Sequence, residues 1–271
     1  MAVTPLRLGG VPEHFNLPWH LALASGRLDD LEPTWTDQPG GTGDLLAALA
    51  DGSLDLVSIL TEGTISAIAG GLPASVIQVY VSSPLQWGVF VPAASDLHDE
   101  SALAGRPIAI SRFRSGSHLM AYVQARRMGW ELTADQFVVT GGLEGARAAF
   151  AEGRAEVFLW DRFMTRPLVA TGEFRQVAVQ ATPWPSFVLA ATNEALTGRT
   201  AEVGRVVDEV VAQAVGLHQR PGVVGELAGR YGLDRATVEE WLGATTFAPR
   251  QSWDADIGRT VRATLADAGL S

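Results

Sequence analysis

Apolar positions along this chain fall into short runs, and between them lie glycine-punctuated stretches with helical spacing. The alternation occurs twice. The stretch GGTGDLLAALADGSLDLVSIL from Gly40 aligns without a gap with GGLEGARAAFAEGRAEVFLWD from Gly141, an offset of 101 residues, pairing Gly41 with Gly142, Ala48 with Ala149, Leu49 with Phe150, Gly52 with Gly153 and Asp55 with Glu156. Each copy predicts a glycine-rich turn, a short helix with one apolar face, a glycine stop and a buried strand. That is half of a βαβ unit, present twice.

The likeness extends outward with small drifts in offset. PLRLGGVPEHFNLPWHLALASG and PIAISRFRSGSHLMAYVQARRMG each read as strand, polar turn, helix and glycine, so the turn after Ile110 has a partner at Pro12–Pro18. Downstream, QVYVSSPLQWGVFV and QVAVQATPWPSFVLA each predict a strand, a proline break and a second strand. Ser83–Leu85 and Thr182–Pro185 are then expected as the two segments that cross between halves. Residues 1–90 with 186–271 would form one lobe, and 91–185 the other. Beyond Asn193 the pattern is helical, with Val203, Val206, Val207, Val210, Val211 and Ala214 on one face. These helices are expected to cover the first lobe. Two parallel α/β lobes carry their binding turns at the carboxyl ends of their strands, which predicts a ligand cleft between lobes that close on it.

Composition narrows the chemistry. The chain is 47% hydrophobic and 18% charged, with a formal net charge of −10, which argues against nucleic acid as a main partner and against anionic membrane surfaces. No apolar run reaches the roughly 20 residues of a membrane span, and there is no signal-peptide pattern; with a native Met1 the expected location is the cytoplasm. The sequence has no cysteine and no lysine, so all twenty basic residues are arginines. Thiolate nucleophiles, cysteine-zinc sites, Schiff bases and a P-loop lysine are excluded together.

Taken in order, GGTGDLLAALADGSLDLVSILTEG, SSPLQWGVFVPAASDL, LAGRPIAISRFRSGSHLMAYVQARRMGW and EGARAAFAEGRAEVFLWDRF resemble the type II periplasmic-binding-protein-like family. The likeness is to its alkanesulfonate- and taurine-binding and thiamine-pyrimidine-synthase-like branch, and to a leaderless subgroup within it. The resemblance implies an α/β fold of two βαβ-based lobes joined by two crossovers, with a helical C-terminal region. It implies a soluble small-molecule binder related to ABC-transporter solute-binding proteins, taking a heterocycle or small organic anion. Pyrimidine synthesis in that branch requires a lysine and a cysteine-rich motif, and this chain supplies neither. The alternative is an enzyme on the same fold, a lyase or dehydratase acting on a small carboxylated ring as in menaquinone biosynthesis.

The candidate ligand-binding residues come from the duplicated turns: Phe15, Asn16, Gly41, Thr42, Thr61, Glu62, Ser115, Ser117, His118, Trp160 and Asp161. Thr42, Ser115 and Ser117 stand at helix starts, where hydroxyls and N–H groups either orient a ligand or simply cap the helix. Thr61–Glu62 and Trp160–Asp161 are expected to follow buried strands. Trp160 and Trp184 also suit packing, and Arg112 and Arg114 suit either an anion or a solvated loop. A Glu62 carboxylate shielded from water needs an N–H or cationic partner. The five histidines lack HExxH spacing, RSGSHLM is not a G-x-S-x-G elbow, and GGTGDLL lacks the last glycine of a dinucleotide fingerprint. No catalytic residue, metal or cofactor is therefore predicted, and the transporter or regulatory partner stays unassigned.

Overall fold

The computed structural model describes residues 5–267 and Gly269. In chain order the elements are β1 (Arg7–Gly10), α1 (Leu17–Ala24), β2 (Thr34–Asp37), α2 (Thr42–Ala50), β3 (Leu56–Leu60), α3 (Thr61–Ala69), β4 (Ala74–Pro92), β5 (Ile108–Ile110), α4 (Gly116–Met128), β6 (Phe137–Val139), α5 (Leu143–Ala151), β7 (Val157–Asp161), α6 (Arg166–Ala170) and β8 (Phe174–Thr192). Five helices follow: α7 (Asn193–Gly198), α8 (Thr200–Val215), α9 (Val223–Tyr231), α10 (Arg235–Ala244) and α11 (Ala255–Asp267). The strand order is β2-β1-β3-β8-β4-β7-β5-β6. The chain divides into two compact units, one running to Ser83 and resuming over Trp184–Arg262, the other comprising Pro84–Pro183 and the chain from Ala263.

In the first unit β1 pairs in parallel with both β2 and β3, and β3 is flanked by antiparallel β8, with Leu56 opposite Ala191 and Leu60 opposite Phe187. In the second, β5 pairs in parallel with both β6 and β7, and β7 is flanked by antiparallel β4, with Phe158 opposite Phe90. The two units thus repeat one topology. The 101-residue offset seen in the sequence maps α2 onto α5 and β3 onto β7, residue for residue.

The aligned pairs have equivalent work. Leu45, Leu49, Val57 and Ile59 pack with Val188 and Ala190 in the first core; Ala146, Ala149, Phe150 and Phe158 pack with Phe90 and Phe174 in the second. Asp55 accepts from the backbone N–H of Arg7 and from its guanidinium, at 2.6–3.0 Å, so the entrance of β3 is tied to β1. Its counterpart Glu156 pairs with Arg106 at 3.2 Å, ahead of β5. Helices α7 to α10 belong to the first unit, where α8 packs along α1, whereas α11 is divided, its last turn falling in the second unit.

One expectation is corrected. The proline stretches break neither long strand, and β4 and β8 each run for 19 residues. Side chains supply bonds where proline disturbs a regular ladder: the Leu85 N–H donates to Thr182 Oγ1 at 3.0 Å, and Ser186 Oγ donates to the Ser83 carbonyl at 2.9 Å. The division between the two units falls at these same prolines.

Candidate functional site

In the first unit two helix starts lie against each other. Gly41, at φ 76°, caps α2, and its carbonyl accepts from the N–H groups of Asp44 and Leu45. Gly63 in the first turn of α3 faces the Thr42 methyl so closely that a Cβ at position 63 would stand 2.5 Å from it. No loop separates β3 from α3. Leu60 leaves the strand in an extended conformation, Thr64 Oγ1 donates back to its carbonyl at 2.8 Å, and Thr61 Oγ1 donates to the Pro185 carbonyl at 2.6 Å.

That abrupt strand-to-helix step carries Glu62 into the interior. The residue is 3% exposed, Oε2 accepts from the Trp184 indole N–H at 3.0 Å, and Oε1 has no hydrogen-bond partner among the described residues. Burial pushes the carboxyl up to about 7, against the smaller opposing pull of its own backbone N–H and of Trp184. Trp184 is the residue that sequence reasoning left among packing tryptophans. It stands 122 positions from Glu62, and no periodicity links the two.

Phe15 and Asn16 lie in the turn ahead of α1. Phe15 is 4% exposed, within an aromatic cluster: its ring centroid is 4.6 Å from Phe187 and 5.2 Å from Trp241, and its carbonyl accepts from Tyr80 Oη. Asn16 Nδ2 donates to the Val11 carbonyl at 2.6 Å, and Oδ1 is buried without a partner. Gly10 makes this possible, since a Cβ there would sit 2.6 Å from Asn16 Nδ2.

In the second unit Ser115 caps α4, accepting from the His118 N–H at 3.3 Å. Ser117 Oγ accepts from the Ser111 N–H at 3.0 Å and lies 3.0 Å from Ser115 Oγ. The Arg114 N–H donates to His118 Nδ1 at 3.0 Å, which fixes the ring with Nε2 as its remaining donor; burial lowers its basicity. The turn is therefore already knit by its own hydroxyls. Ser117→Ala is expected to destabilise the protein by about 1–3 kcal/mol, because it strands the Ser111 N–H, against about 1 kcal/mol for the cap variant Ser115→Ala. Urea unfolding of both checks this, and equal midpoints for Ser117→Ala and the parent would remove the structural role.

Trp160 and Asp161 do not follow a strand as expected; they are the last two residues of β7. Half-buried Trp160 stacks on Phe158, with centroids 5.3 Å apart. Asp161 Oδ1 accepts from the N–H groups of Phe163 and Met164 at 2.9 and 2.8 Å, while buried Oδ2 has no partner among the described residues. Burial raises this carboxyl to about 6, opposed by those N–H bonds and by Arg162. Across the strand pair, the Trp87 indole nitrogen is also buried without a partner. Among the described residues no three histidine, aspartate or glutamate side chains are grouped to hold a metal ion, and no helix is long and apolar enough to cross a membrane.

Residues 87–179, within the second unit, match the pattern of the Ca3427-like PBP family. Among solved structures, the Candida albicans CA3427 gene product, which exhibits the generic periplasmic binding protein fold, is 26% identical, with a TM-score of 0.91 over 99% of this chain and 91% of that one. The alkanesulfonate-binding protein SsuA from Xanthomonas axonopodis pv. citri, bound to MOPS, is 22% identical, with a TM-score of 0.81 over 100% and 95%. The periplasmic aliphatic sulphonate binding protein SsuA from Escherichia coli is 21% identical, with a TM-score of 0.73 over 98% and 88%. No curated protein matches the sequence. The chain has the periplasmic binding protein fold, and its second unit carries the pattern of the Ca3427-like PBP family.

Proposed function

We propose that this protein binds a small polar molecule and releases it unchanged, as a receptor or carrier related to transporter solute-binding proteins. The observation that carries the reading is the repeated topology: each unit places helix starts after its parallel strands, with polar side chains on them. Such strand ends are where open α/β sheets take their ligands. Thr42, Thr61 and Glu62 are the candidate binding residues within the first unit, and Ser115, Ser117, His118 and Asp161 are those within the second, each unit taken by itself. The neighbours named as sulfonate-binding proteins support the same direction. A lyase or dehydratase reading gains nothing from them.

The test is thermal unfolding against a panel of sulfonates, small carboxylates and nitrogen heterocycles, with native mass spectrometry of freshly purified protein alongside. A ligand held only by the native state stabilises it by about 2.7 kcal/mol at a hundredfold excess over Kd, which a melting curve registers. A flat panel and a protein carrying no retained molecule would reject the reading.

A further inference from the structure

Other buried acids in the first unit are provided with partners. Asp55 has the bidentate Arg7 guanidinium, and Glu209 has Arg27 together with the Gln213 amide. Glu62 differs. Among the described residues no arginine pairs with it, its one side-chain hydrogen bond comes from an uncharged indole, and Oε1 receives nothing although it is sealed from water. A carboxylate oxygen in that condition is expensive to maintain. The first turn of α3 favours negative charge through its N–H groups, that of Glu62 among them, yet none of these reaches Oε1 in hydrogen-bond geometry.

The groups around it add to the selectivity. Trp184 presents a flat apolar body with its only polar atom already committed to Oε2, and Thr61 is committed to the Pro185 carbonyl. What the position lacks is a hydrogen-bond donor. A sulfonate oxygen brought to the ionised Oε1, above pH 7, would set one anion against another with no cation between them, whereas an N–H group would satisfy the orphaned oxygen and, if charged, neutralise the carboxylate.

We propose that Glu62 Oε1 is a specificity-determining acceptor, and that the molecule taken by the first unit presents an N–H donor, as an amidine, a protonated ring nitrogen or an amine does, rather than a sulfonate. This rests on the small-molecule reading above and sets its ligand class. It also separates this chain from the neighbours named for sulfonates.

The experiment is titration calorimetry of the full chain with benzamidine and 2-aminopyridine as flat N–H donors and benzenesulfonate as the matched anion. The wild type, Glu62→Gln and Trp184→Phe are compared, with folding checked by circular dichroism. The donors are expected to bind the wild type and benzenesulfonate not to. Glu62→Gln is expected to weaken donor binding by about 10–100-fold, and Trp184→Phe, which frees the carboxylate from its positioning bond, by less. Equal donor affinity in Glu62→Gln overturns the proposal. Benzenesulfonate binding without donor binding overturns it too, yet leaves the small-molecule reading standing. If neither class binds, the donor proposal falls, and absence of any copurified molecule then removes the broader reading as well.

Discussion

Glu62→Gln is expected to be more stable than the wild type at pH 8, by about 3 kcal/mol, and to match it within a few tenths at pH 4.5. Its carboxyl titrates near 4.5 in an unfolded chain and is pushed up to about 7 in the folded one. Between these values the native state binds more protons than the unfolded state, so stability falls as pH rises from about 4.5 to 7 and stays low above. That displacement corresponds to about 3 kcal/mol, and the amide never incurs it. Asp161, raised by burial to about 6, imposes a loss of the same sign over a lower range. His14 acts oppositely: burial lowers it to about 3, so its contribution is present above pH 6.5 and is lost as pH falls toward 3. Both persist in the variant, and the difference between variant and parent isolates Glu62. Urea midpoints across pH 4.5–8.5 test this, and a pH-independent difference would show that Oε1 is not the unsatisfied group described. If Glu62 serves binding, the variant trades ligand affinity for stability.

Trp241→Ala is expected to cost about 3–5 kcal/mol, the usual penalty for emptying a large aromatic position in a core. The indole on α10 is fully buried, with its ring centroid 4.5 Å from His14, 5.2 Å from Phe15 and 6.4 Å from Phe247. It fastens the C-terminal helices to the turn ahead of α1. Its Nε1 has no hydrogen-bond partner among the described residues, so Trp241→Phe, which removes that donor, is expected to cost much less than the alanine change. Chemical denaturation with an unchanged m-value would assign the loss to packing. A loss below about 1 kcal/mol in Trp241→Ala would mean that this cluster does not hold the unit together.

Much of the architecture was legible because its signals are local. The 101-residue repeat placed α2 with α5 and β3 with β7 through apolar spacing and glycine stops, each a property of a few neighbouring residues. The match of Asp55 with Glu156 put two acids at equivalent strand entrances; that each would pair with an arginine was not legible there. The outer turns were placed correctly at the starts of α1 and α4 for the same reason.

Chain order alone could not tell which partner each side chain would meet. The prolines read as strand breaks, yet β4 and β8 pass through them because Thr182 and Ser186 supply bonds from distant positions. Phe15 reads as a flat surface for a ligand, but Phe187 and Trp241 enclose it. Ser115 and Ser117 read alike as cap or ligand group, whereas the cap is Ser115 and the Ser117 hydroxyl accepts from Ser111. Glu62 was identifiable as a carboxylate after a buried strand. That one of its oxygens would meet Trp184 and the other nothing depended on packing across 122 residues, because hydrogen bonding and desolvation act through space and leave no period in the sequence.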